Sequence, residues 1–134
     1  MDEYLHQELT SKILKAFYIV YNTLGFGFLE KVYENALKIE LENLGLFVER
    51  QKPISVYYNG IIIGEYFADL IVNGKVIIEL KAVECLIKEH ELQLINYLKA
   101  TNIEIGLLLN FGKKPEIKRK IFTNENKNLF GMAH

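Results

Sequence analysis

The stretch FADLIVNGKVIIELK, residues 67–81, decides the fold class of this chain. Two runs rich in apolar and β-branched residues flank the dipeptide Asn73-Gly74, which favours a two-residue hairpin turn because both positions must accept positive φ. The stretch therefore predicts two neighbouring antiparallel strands. Each strand carries one acidic residue among apolar ones, Asp69 in the first and Glu79 in the second.

Strand patterns continue on both sides of this hairpin. Apolar and polar residues alternate over residues 53–58, and the dipeptide at 59–60 (Asn-Gly) predicts a second tight turn before a strand over 61–72. Residues 105–111 (IGLLLNF) are apolar nearly throughout, which is typical of a strand covered on both faces. Residues 116–122 predict a last strand at the edge of the sheet.

Helical periodicity predicts three helices, over residues 5–24, 29–41 and 87–100. In the last of these, the residues expected to be buried are Leu92, Ile95 and Leu98. The order helix, helix, three strands, helix, strand, strand predicts a mixed central sheet flanked by helices, in the α/β class with α+β left open. Because no linker, repeat or low-complexity tract interrupts the pattern, residues 1–134 are predicted to form one domain.

Composition narrows the class of protein without naming a function. Half of the 134 residues are hydrophobic and a quarter are charged, which indicates a globular chain rather than a disordered one. The net charge of −1 neither favours nor excludes nucleic acid as a partner. A single cysteine rules out an internal disulfide and a cysteine-based zinc site. With no signal-peptide pattern and no long apolar segment, a cytoplasmic protein without membrane contact is expected.

The acidic residues of the hairpin at residues 67–81 suggest a metal site. Side chains alternate along a strand, so Glu79 and Lys81 project to one side, and the tight turn brings Asp69 to about the level of Glu79. Mg²⁺ (or Mn²⁺) commonly takes one or two carboxylates and leaves its other positions to water and phosphate. Such an ion activates water for attack, and a neighbouring lysine assists. The alternative is a structural ion pair at the rim of the sheet.

These residues also carry a resemblance to a known family. Asp69 in one strand and Glu79-Leu80-Lys81 in the next, followed by a helix, resemble the core motif of the PD-(D/E)XK nuclease superfamily. The helix that follows carries Gln93 and Tyr97, a pair similar to the Gln-x-x-x-Tyr element of the RecB-like exonuclease branch. The proline that gives the superfamily its name is replaced by alanine in this chain.

A further motif lies near the start of the second predicted helix. Residues 27–33, GFLEKVY, match the Gly-x-x-Glu-x-x-Tyr signature of the GxxExxY family, which is placed in the same superfamily. The resemblance implies a restriction-endonuclease-like core and a Mg²⁺- or Mn²⁺-dependent hydrolysis of phosphodiester bonds, with DNA as the expected substrate. It also implies that Asp69, Glu79 and Lys81 are catalytic, with Asp69 and Glu79 binding the metal.

Four other residues receive supporting roles from the resemblance. Glu30 is expected to be a further metal ligand or to contact the metal through water, with a solvated helix carboxylate or a first-turn acid favoured by the helix dipole as the alternatives. Tyr33 shares a helix face with Glu30 and is expected either to support the site or to pack in the core. Gln93 and Tyr97 also share a face, and they are expected to contact substrate or support the metal ligands, unless they form an ordinary polar edge.

The densest basic run supplies candidates for contact with nucleic acid, namely Lys113, Lys114, Lys118, Arg119 and Lys120. Lysines that protect an edge strand explain this run equally well. Two alternatives to a nuclease remain open at this stage. One is a binding or assembly module that keeps the nuclease fold without catalysis, and the other is a purely structural scaffold. A homodimer would let a small nuclease with one site reach both strands of a duplex.

Overall fold

The computed structural model of this protein describes residues 5–127. It contains three helices and five strands, in the chain order α1 (Gln7–Leu24), α2 (Glu30–Asn43), β1 (Val48–Tyr58), β2 (Ile61–Val72), β3 (Val76–Lys81), α3 (Lys88–Lys99), β4 (Ile105–Phe111) and β5 (Pro115–Ile121). A short 3₁₀ helix, Asn124–Asn126, follows. The predicted order of elements is confirmed, with boundaries that differ from the predicted ones by a few residues.

The five strands form one mixed sheet in the order β1-β2-β3-β4-β5. Only the β3–β4 pair is parallel, and α3 makes the crossover between these two strands, as parallel neighbours require. The pairing of β2 with β3 covers three residue pairs, from Leu70 opposite Ile78 to Val72 opposite Val76. The β1–β2 hairpin is much longer, so its outer part extends beyond β3.

Both predicted Asn-Gly turns have the backbone conformation that their sequence demands. Asn59 and Asn73 have φ angles of 52° and 53°, and the following Gly60 and Gly74 have φ angles of 77° and 63°. Two consecutive residues at positive φ make the type I′ turn, whose twist matches that of the flanking strands. The first turn has the predicted two residues, since Tyr58 pairs with Ile61, whereas Val72 pairs with Val76, so Lys75 joins the second connection and shifts the β2–β3 register by one residue.

Two hydrophobic clusters cover the two faces of the sheet. The first lies between the sheet and helices α1 and α2, and its buried residues include Ile13, Phe17, Leu37, Leu70 and Leu107. The second lies under α3, and its buried residues include Ile71, Ile77, Leu94, Leu98 and Leu108. Because both faces are covered, every residue of β4 is buried, as its apolar sequence predicted.

The inward face of α3 differs from the prediction. Leu98 is buried as expected, but Leu92 is exposed and Ile95 only half-buried, because the buried face of α3 runs through Leu94 instead. Leu94 packs so closely on Gly106 of β4 that a Cβ on this glycine would lie 2.7 Å from the leucine Cδ1. None of the helices described between residues 5 and 127 has the length and hydropathy needed to cross a membrane.

Candidate active site

The candidate site lies where β2 and β3 stop pairing through their backbones. Beyond the pair Leu70–Ile78, the carboxylates of Asp69 and Glu79 take over the hydrogen bonding between the strands. The Glu79 Oε1 atom accepts a hydrogen bond from the backbone N–H of Asp69 at 3.0 Å. The Asp69 Oδ2 atom accepts one from the backbone N–H of Leu80 at 2.8 Å. The structure thus brings the two acids together at the level that the hairpin register predicted.

Burial and neighbouring negative charges make both acids reluctant to lose their protons. Burial raises the pKa of Glu79 to about 8, and the negative charge of Asp69 adds to this effect, while Lys81 partly opposes it. Burial is also the main cause that raises the pKa of Asp69, and the charges of Glu34 and Glu30 contribute. The hydrogen bond from Leu80 opposes that rise. Two neighbouring buried carboxylates are therefore in an environment that a bound cation would stabilise.

The chemistry of the donor set fits a hard divalent cation. Across residues 5–127, no group of three or more His, Cys, Asp or Glu side chains forms a complete metal cage. Mg²⁺ does not need such a cage, because it is usually held by one or two carboxylates and keeps water and substrate phosphate as its other ligands. The Asp69–Glu79 pair supplies oxygen ligands of this kind, which also suit Mn²⁺.

Lys81 ends β3 two residues after Glu79, on the same face of the strand. Its side chain is half-buried, and its charge acts on Glu79 by lowering the pKa of that carboxyl. Within the part of the chain that the structure describes, Lys81 takes part in none of the ion pairs. A structural ion pair at the sheet rim, the alternative considered from the sequence, is therefore not formed.

Helix α2 contributes two acids to this region, at one-turn spacing and therefore on one face. Glu30 is exposed at the first residue of the helix, and its charge helps to raise the pKa of both Asp69 and Glu79. Glu34 is 4% exposed, and its Oε2 atom lies 3.4 Å from Nε of Arg50. The sequence argument favoured Glu30 and gave Glu34 no role, although the spacing places both on the same face.

Gln51 connects α2 to the strand that carries Asp69. Its Nε2 atom donates to Oε1 of Glu34 at 2.8 Å and to Oδ1 of Asp69 at 3.3 Å. Gln51 has a φ of 53°, a left-handed conformation that a non-glycine residue in a strand rarely adopts. Nothing in the local sequence signals this conformation, so sequence reasoning missed the bridge.

Helix α3 covers the other side of the carboxylates with Gln93 and Tyr97. The Gln93 Nε2 atom donates to the Tyr97 hydroxyl oxygen at 2.7 Å. Burial raises the pKa of Tyr97 to about 12, and the charges of Glu79 and then Asp69 contribute to the shift. The hydroxyl is therefore close enough to both acids to respond to their charge, and the structure places this predicted pair beside the site.

Tyr33 lies in the core rather than at the site. Its ring is fully buried and stacks on Phe111, with the ring centroids 4.2 Å apart. Its hydroxyl donates to the carbonyl of Gly25 at 2.6 Å and accepts from the backbone N–H of Phe28 at 3.2 Å. The tyrosine therefore closes the turn between α1 and α2, which corrects the expectation that it supports the carboxylates.

The basic run does not form one surface. Alternation along β5 directs Lys118 and Lys120 to the α3 side, where Lys120 pairs with Glu91 at 2.6 Å. Arg119 points to the opposite face and donates to the carbonyl of Leu5 at 2.9 Å. The remaining two lysines, Lys113 and Lys114, are exposed in the turn between β4 and β5. Because β5 is an edge strand, protection of the edge accounts for part of the run.

Asn110 is a second residue that sequence reasoning missed. It is fully buried on β4, opposite Lys81 in the parallel register. Its Oδ1 atom accepts from the N–H of Val83 at 3.0 Å, and its Nδ2 atom donates to the Val83 carbonyl at 2.9 Å and to Glu116 at 2.8 Å. These bonds fix the direction of the chain directly after Lys81. A lone asparagine in an apolar strand was the available signal.

Comparison with known proteins identifies a family and a solved structure of similar fold. A family model described as the PD-(D/E)XK nuclease superfamily matches residues 7–120. No curated protein matches the sequence at a significant level. The crystal structure of SSO0001 is similar in fold, with a TM-score of 0.50 and 19% sequence identity. The similarity covers 69% of this chain and 50% of that one, so the chain spans half the length of that relative.

Proposed function

Because the chain belongs to the PD-(D/E)XK nuclease superfamily, we propose that it is a metal-dependent nuclease whose catalytic residues are Asp69, Glu79 and Lys81. The observation that carries this proposal is the meeting of the Asp69 and Glu79 carboxylates at the point where β2 and β3 separate. Two acids held there at the cost of mutual repulsion are better explained by a cation that they bind than by a role in folding.

Asp69 and Glu79 would hold the metal, Mg²⁺ or Mn²⁺, and Glu30 at the start of α2 would contact it through a bound water, since no three acids within residues 5–127 are placed to hold one ion directly. A bound divalent ion lowers the pKa of a water molecule and neutralises charge on a phosphate group. The backbone N–H groups of Asp69 and Leu80 each hold one oxygen of the opposite carboxylate, which orients both side chains. Gln51 positions Asp69 through its remaining oxygen, and Glu34 in turn holds Gln51.

Lys81 supplies the positive charge that the reaction needs beside these acids. Because it makes no ion pair among residues 5–127, its ammonium group can donate to the attacked phosphate and to the attacking water. Asn110 fixes the chain that follows Lys81, and this limits the positions that the lysine backbone can take. On the opposite side, Gln93 and Tyr97 provide polar groups for contact with substrate.

The finer family assignment rests on two motifs. In the GxxExxY stretch, Gly27 has a φ of 112°, Glu30 begins α2 and Tyr33 closes the turn, so each signature residue has a physical reason for its type. The Gln93–Tyr97 hydrogen bond supports placement in the RecB-like branch. One sheet shared by both hydrophobic clusters supports the view that the chain acts as one domain.

We propose DNA as the substrate and a homodimer as the working form. Lys113 and Lys114, exposed in the β4–β5 turn, are the best candidates of the basic run for phosphate contact. The tip of the β1–β2 hairpin (residues 57–63) exposes three consecutive isoleucines, Ile61 to Ile63, each more than half exposed. Packing of two tips together would remove this apolar surface from water. Sedimentation velocity of the parent and of Ile62→Glu tests the homodimer, and a parent that sediments as a monomer would exclude it.

The function is tested by cleavage of labelled single-stranded and duplex DNA with Mg²⁺ or Mn²⁺. Cutting is expected to stop on chelation and to fall about 10²-fold or more in Lys81→Ala, whose melting temperature should stay near that of the parent. Lys75→Ala is the matched control, because Lys75 is exposed at the turn before β3. Cutting that persists in Lys81→Ala contradicts the mechanism. A well-folded parent that cuts nothing favours a binding or assembly module without catalysis.

A further inference from the structure

A large groove lies between the outer part of the β1–β2 hairpin and α3. Its volume is about 550 Å³. Val56 and Tyr66 of the hairpin line it together with residues of α3 that include Leu92, Asn96 and Tyr97. We call it the Tyr66 groove. Nothing in the sequence predicted it, because the hairpin and the helix are separated by β3 and the loop that follows.

The Tyr66 groove adjoins the carboxylates through two shared residues. Tyr97 and Gln93 line the groove and are hydrogen-bonded to each other. The charges of Glu79 and Asp69 act on the Tyr97 hydroxyl and help to raise its pKa. The ring of Tyr66 lies 5.6 Å from the ring of Tyr97, centroid to centroid. A ligand that occupied the groove would therefore be next to a phosphate held at the acids.

The lining of the groove has the chemical character of a site for a flat heteroaromatic ring. Tyr66 and Tyr97 are aromatic, Val56 and Leu92 are aliphatic, and Asn96 carries an uncharged amide that both donates and accepts. Tyr66 is 49% exposed, so part of its ring is open to solvent. An aromatic face available for stacking, with amide groups nearby, is how proteins hold the bases of single strands.

The charges around the groove argue against a phosphate as its occupant. Glu89 lines the groove and would repel an anion. Lys99 also lines it, but its ammonium group lies 5.6 Å from the centre of the Phe122 ring, a cation–π arrangement that engages this charge. The groove therefore favours the uncharged part of a nucleotide, while Lys81 and the acids favour the charged part.

We propose that the Tyr66 groove binds an unpaired nucleobase that flanks the scissile phosphate, stacked on Tyr66, an inference that rests on the nuclease function proposed above. A base inside a duplex is covered by its neighbours and its partner, and it enters such a groove only if it is first flipped out of the stack, which costs free energy. The substrate class is therefore a single strand, or a duplex with an unpaired nucleotide at the point of cleavage. An intact duplex is a poorer substrate, because its bases must first be unstacked and unpaired.

The test is the binding of a short labelled single-stranded DNA in the presence of a chelator, measured by fluorescence anisotropy. Tyr66→Ala is expected to raise Kd about tenfold, since stacking of one base contributes about 1–3 kcal/mol. Tyr66→Phe, which keeps the ring, is expected to bind within about twofold of the parent. Tyr58→Ala is the matched control, because Tyr58 is exposed on the same hairpin outside the groove. The same DNA as a blunt duplex should show no dependence on residue 66.

The outcomes distinguish base binding in the Tyr66 groove from the nuclease function. Cleavage by the parent together with unchanged binding by Tyr66→Ala contradicts base binding in the groove but leaves the nuclease function standing. Single-stranded DNA binding that depends on residue 66, without cleavage by the parent, contradicts the nuclease function but supports base binding in the groove. A parent that binds no single strand overturns the groove as a base site. A sedimentation coefficient that falls in Tyr66→Ala, with DNA affinity unchanged, assigns the groove to a second copy of the chain and also overturns the proposal.

Discussion

The carboxylate of Glu79 accepts a hydrogen bond from the backbone N–H of Asp69 at 3.0 Å, across the gap where the two strands stop pairing. The carboxylate of Asp69 accepts in the same way from Leu80, one residue beyond Glu79. Each acid is thus tied to the strand that carries the other, and the two cannot separate to relieve their repulsion. Burial raises the pKa of both groups, and the charge of Asp69 adds to the rise at Glu79, whereas Glu34 and Glu30 add to the rise at Asp69.

The raised pKa of Glu79 predicts how the stability of the metal-free protein changes with pH. Between the ordinary value of 4.5 and the folded-state value of about 8, the folded protein binds a proton that the unfolded chain has lost. The free energy of unfolding of the parent should therefore fall as pH rises through this window. Glu79→Gln removes the titration, so its advantage over the parent should grow to a few kcal/mol from pH 5 to pH 9.

Urea denaturation in the presence of a chelator, at a series of pH values, measures this effect. Glu65→Gln is the matched control, because Glu65 is an exposed carboxylate on the hairpin. Its pH profile should run parallel to that of the parent. Parallel profiles for Glu79→Gln and the parent would mean that Glu79 ionises as freely in the folded protein as in the unfolded one.

A divalent cation should restore the stability that the metal-free protein loses when Glu79 ionises at high pH. Mn²⁺ or Mg²⁺ that binds only the folded protein raises its stability by about 2.7 kcal/mol at a concentration one hundred times Kd. The rise should be larger at pH 8.5 than at pH 6.5, because the metal must displace the proton from Glu79. Asp69→Asn should lose most of the rise, whereas Lys81→Ala should keep it, since a lysine cannot serve as a ligand in its charged form.

Thermal melting with and without metal measures these shifts. An equal rise in the parent and in Asp69→Asn would place the metal elsewhere. Loss of the rise in Lys81→Ala would show that this variant affects the fold or the metal site, and that its loss of cleavage says nothing about catalysis. The metal experiment is therefore a necessary partner of the cleavage assay.

The parts of the site that local sequence determines could be predicted, and those that depend on tertiary contacts could not. The Asn73-Gly74 dipeptide predicted the β2–β3 hairpin, but a two-residue turn would have placed Asp69 opposite Ile78. Val72 pairs with Val76 instead, so Lys75 joins the connection, and this register places Asp69 level with Glu79. The bridge formed by Gln51 depends on a backbone conformation that only the folded sheet imposes, so its sequence carries no signal. The role of Glu34 depends on its hydrogen bond from Gln51, a tertiary contact that the sequence does not show.

The basic run shows a different kind of error. Alternation along β5 separates Lys118 and Lys120 from Arg119, and this alternation was already present in the sequence. Treating the five residues as one surface ignored it. Leu92 was wrongly expected to be buried for a different reason. The helical periodicity of α3 is compatible with more than one buried face, and the contact of Leu94 with Gly106 selects the one observed.

The left-handed backbone of Gln51 predicts an unusual order of stability. Both Gln51→Ala and Gln51→Gly lose the hydrogen bonds to Glu34 and Asp69, but only glycine adopts a φ of 53° without steric cost. Gln51→Gly should therefore be more stable than Gln51→Ala by about 1 kcal/mol, measured by urea denaturation. The same pair at Ser55, an extended position of β1, should show the opposite order. An alanine variant more stable than the glycine variant at residue 51 would exclude the left-handed conformation.

The contacts of Tyr33 predict that its hydroxyl stabilises the fold and has no part in catalysis. Tyr33→Phe keeps the ring stacked on Phe111 but removes the hydrogen bonds to Gly25 and Phe28. The loss should lower the free energy of unfolding by about 1 kcal/mol, since the partly buried carbonyl of Gly25 is left without its donor. Cleavage assayed well below the melting temperature should keep kcat and KM within about twofold of the parent.

Tyr58→Phe is the control for the removal of a tyrosine hydroxyl, because Tyr58 is exposed at the hairpin tip, and it should leave stability unchanged. A Tyr33→Phe protein with parental stability but greatly reduced kcat would return the tyrosine of the GxxExxY motif to the catalytic site. Lower stability with intact kcat would mean that the GxxExxY motif combines a structural residue, Tyr33, with a residue of the site, Glu30. Its tyrosine holds the turn between α1 and α2, and that turn sets the position of Glu30, whose charge acts on both carboxylates of the sheet.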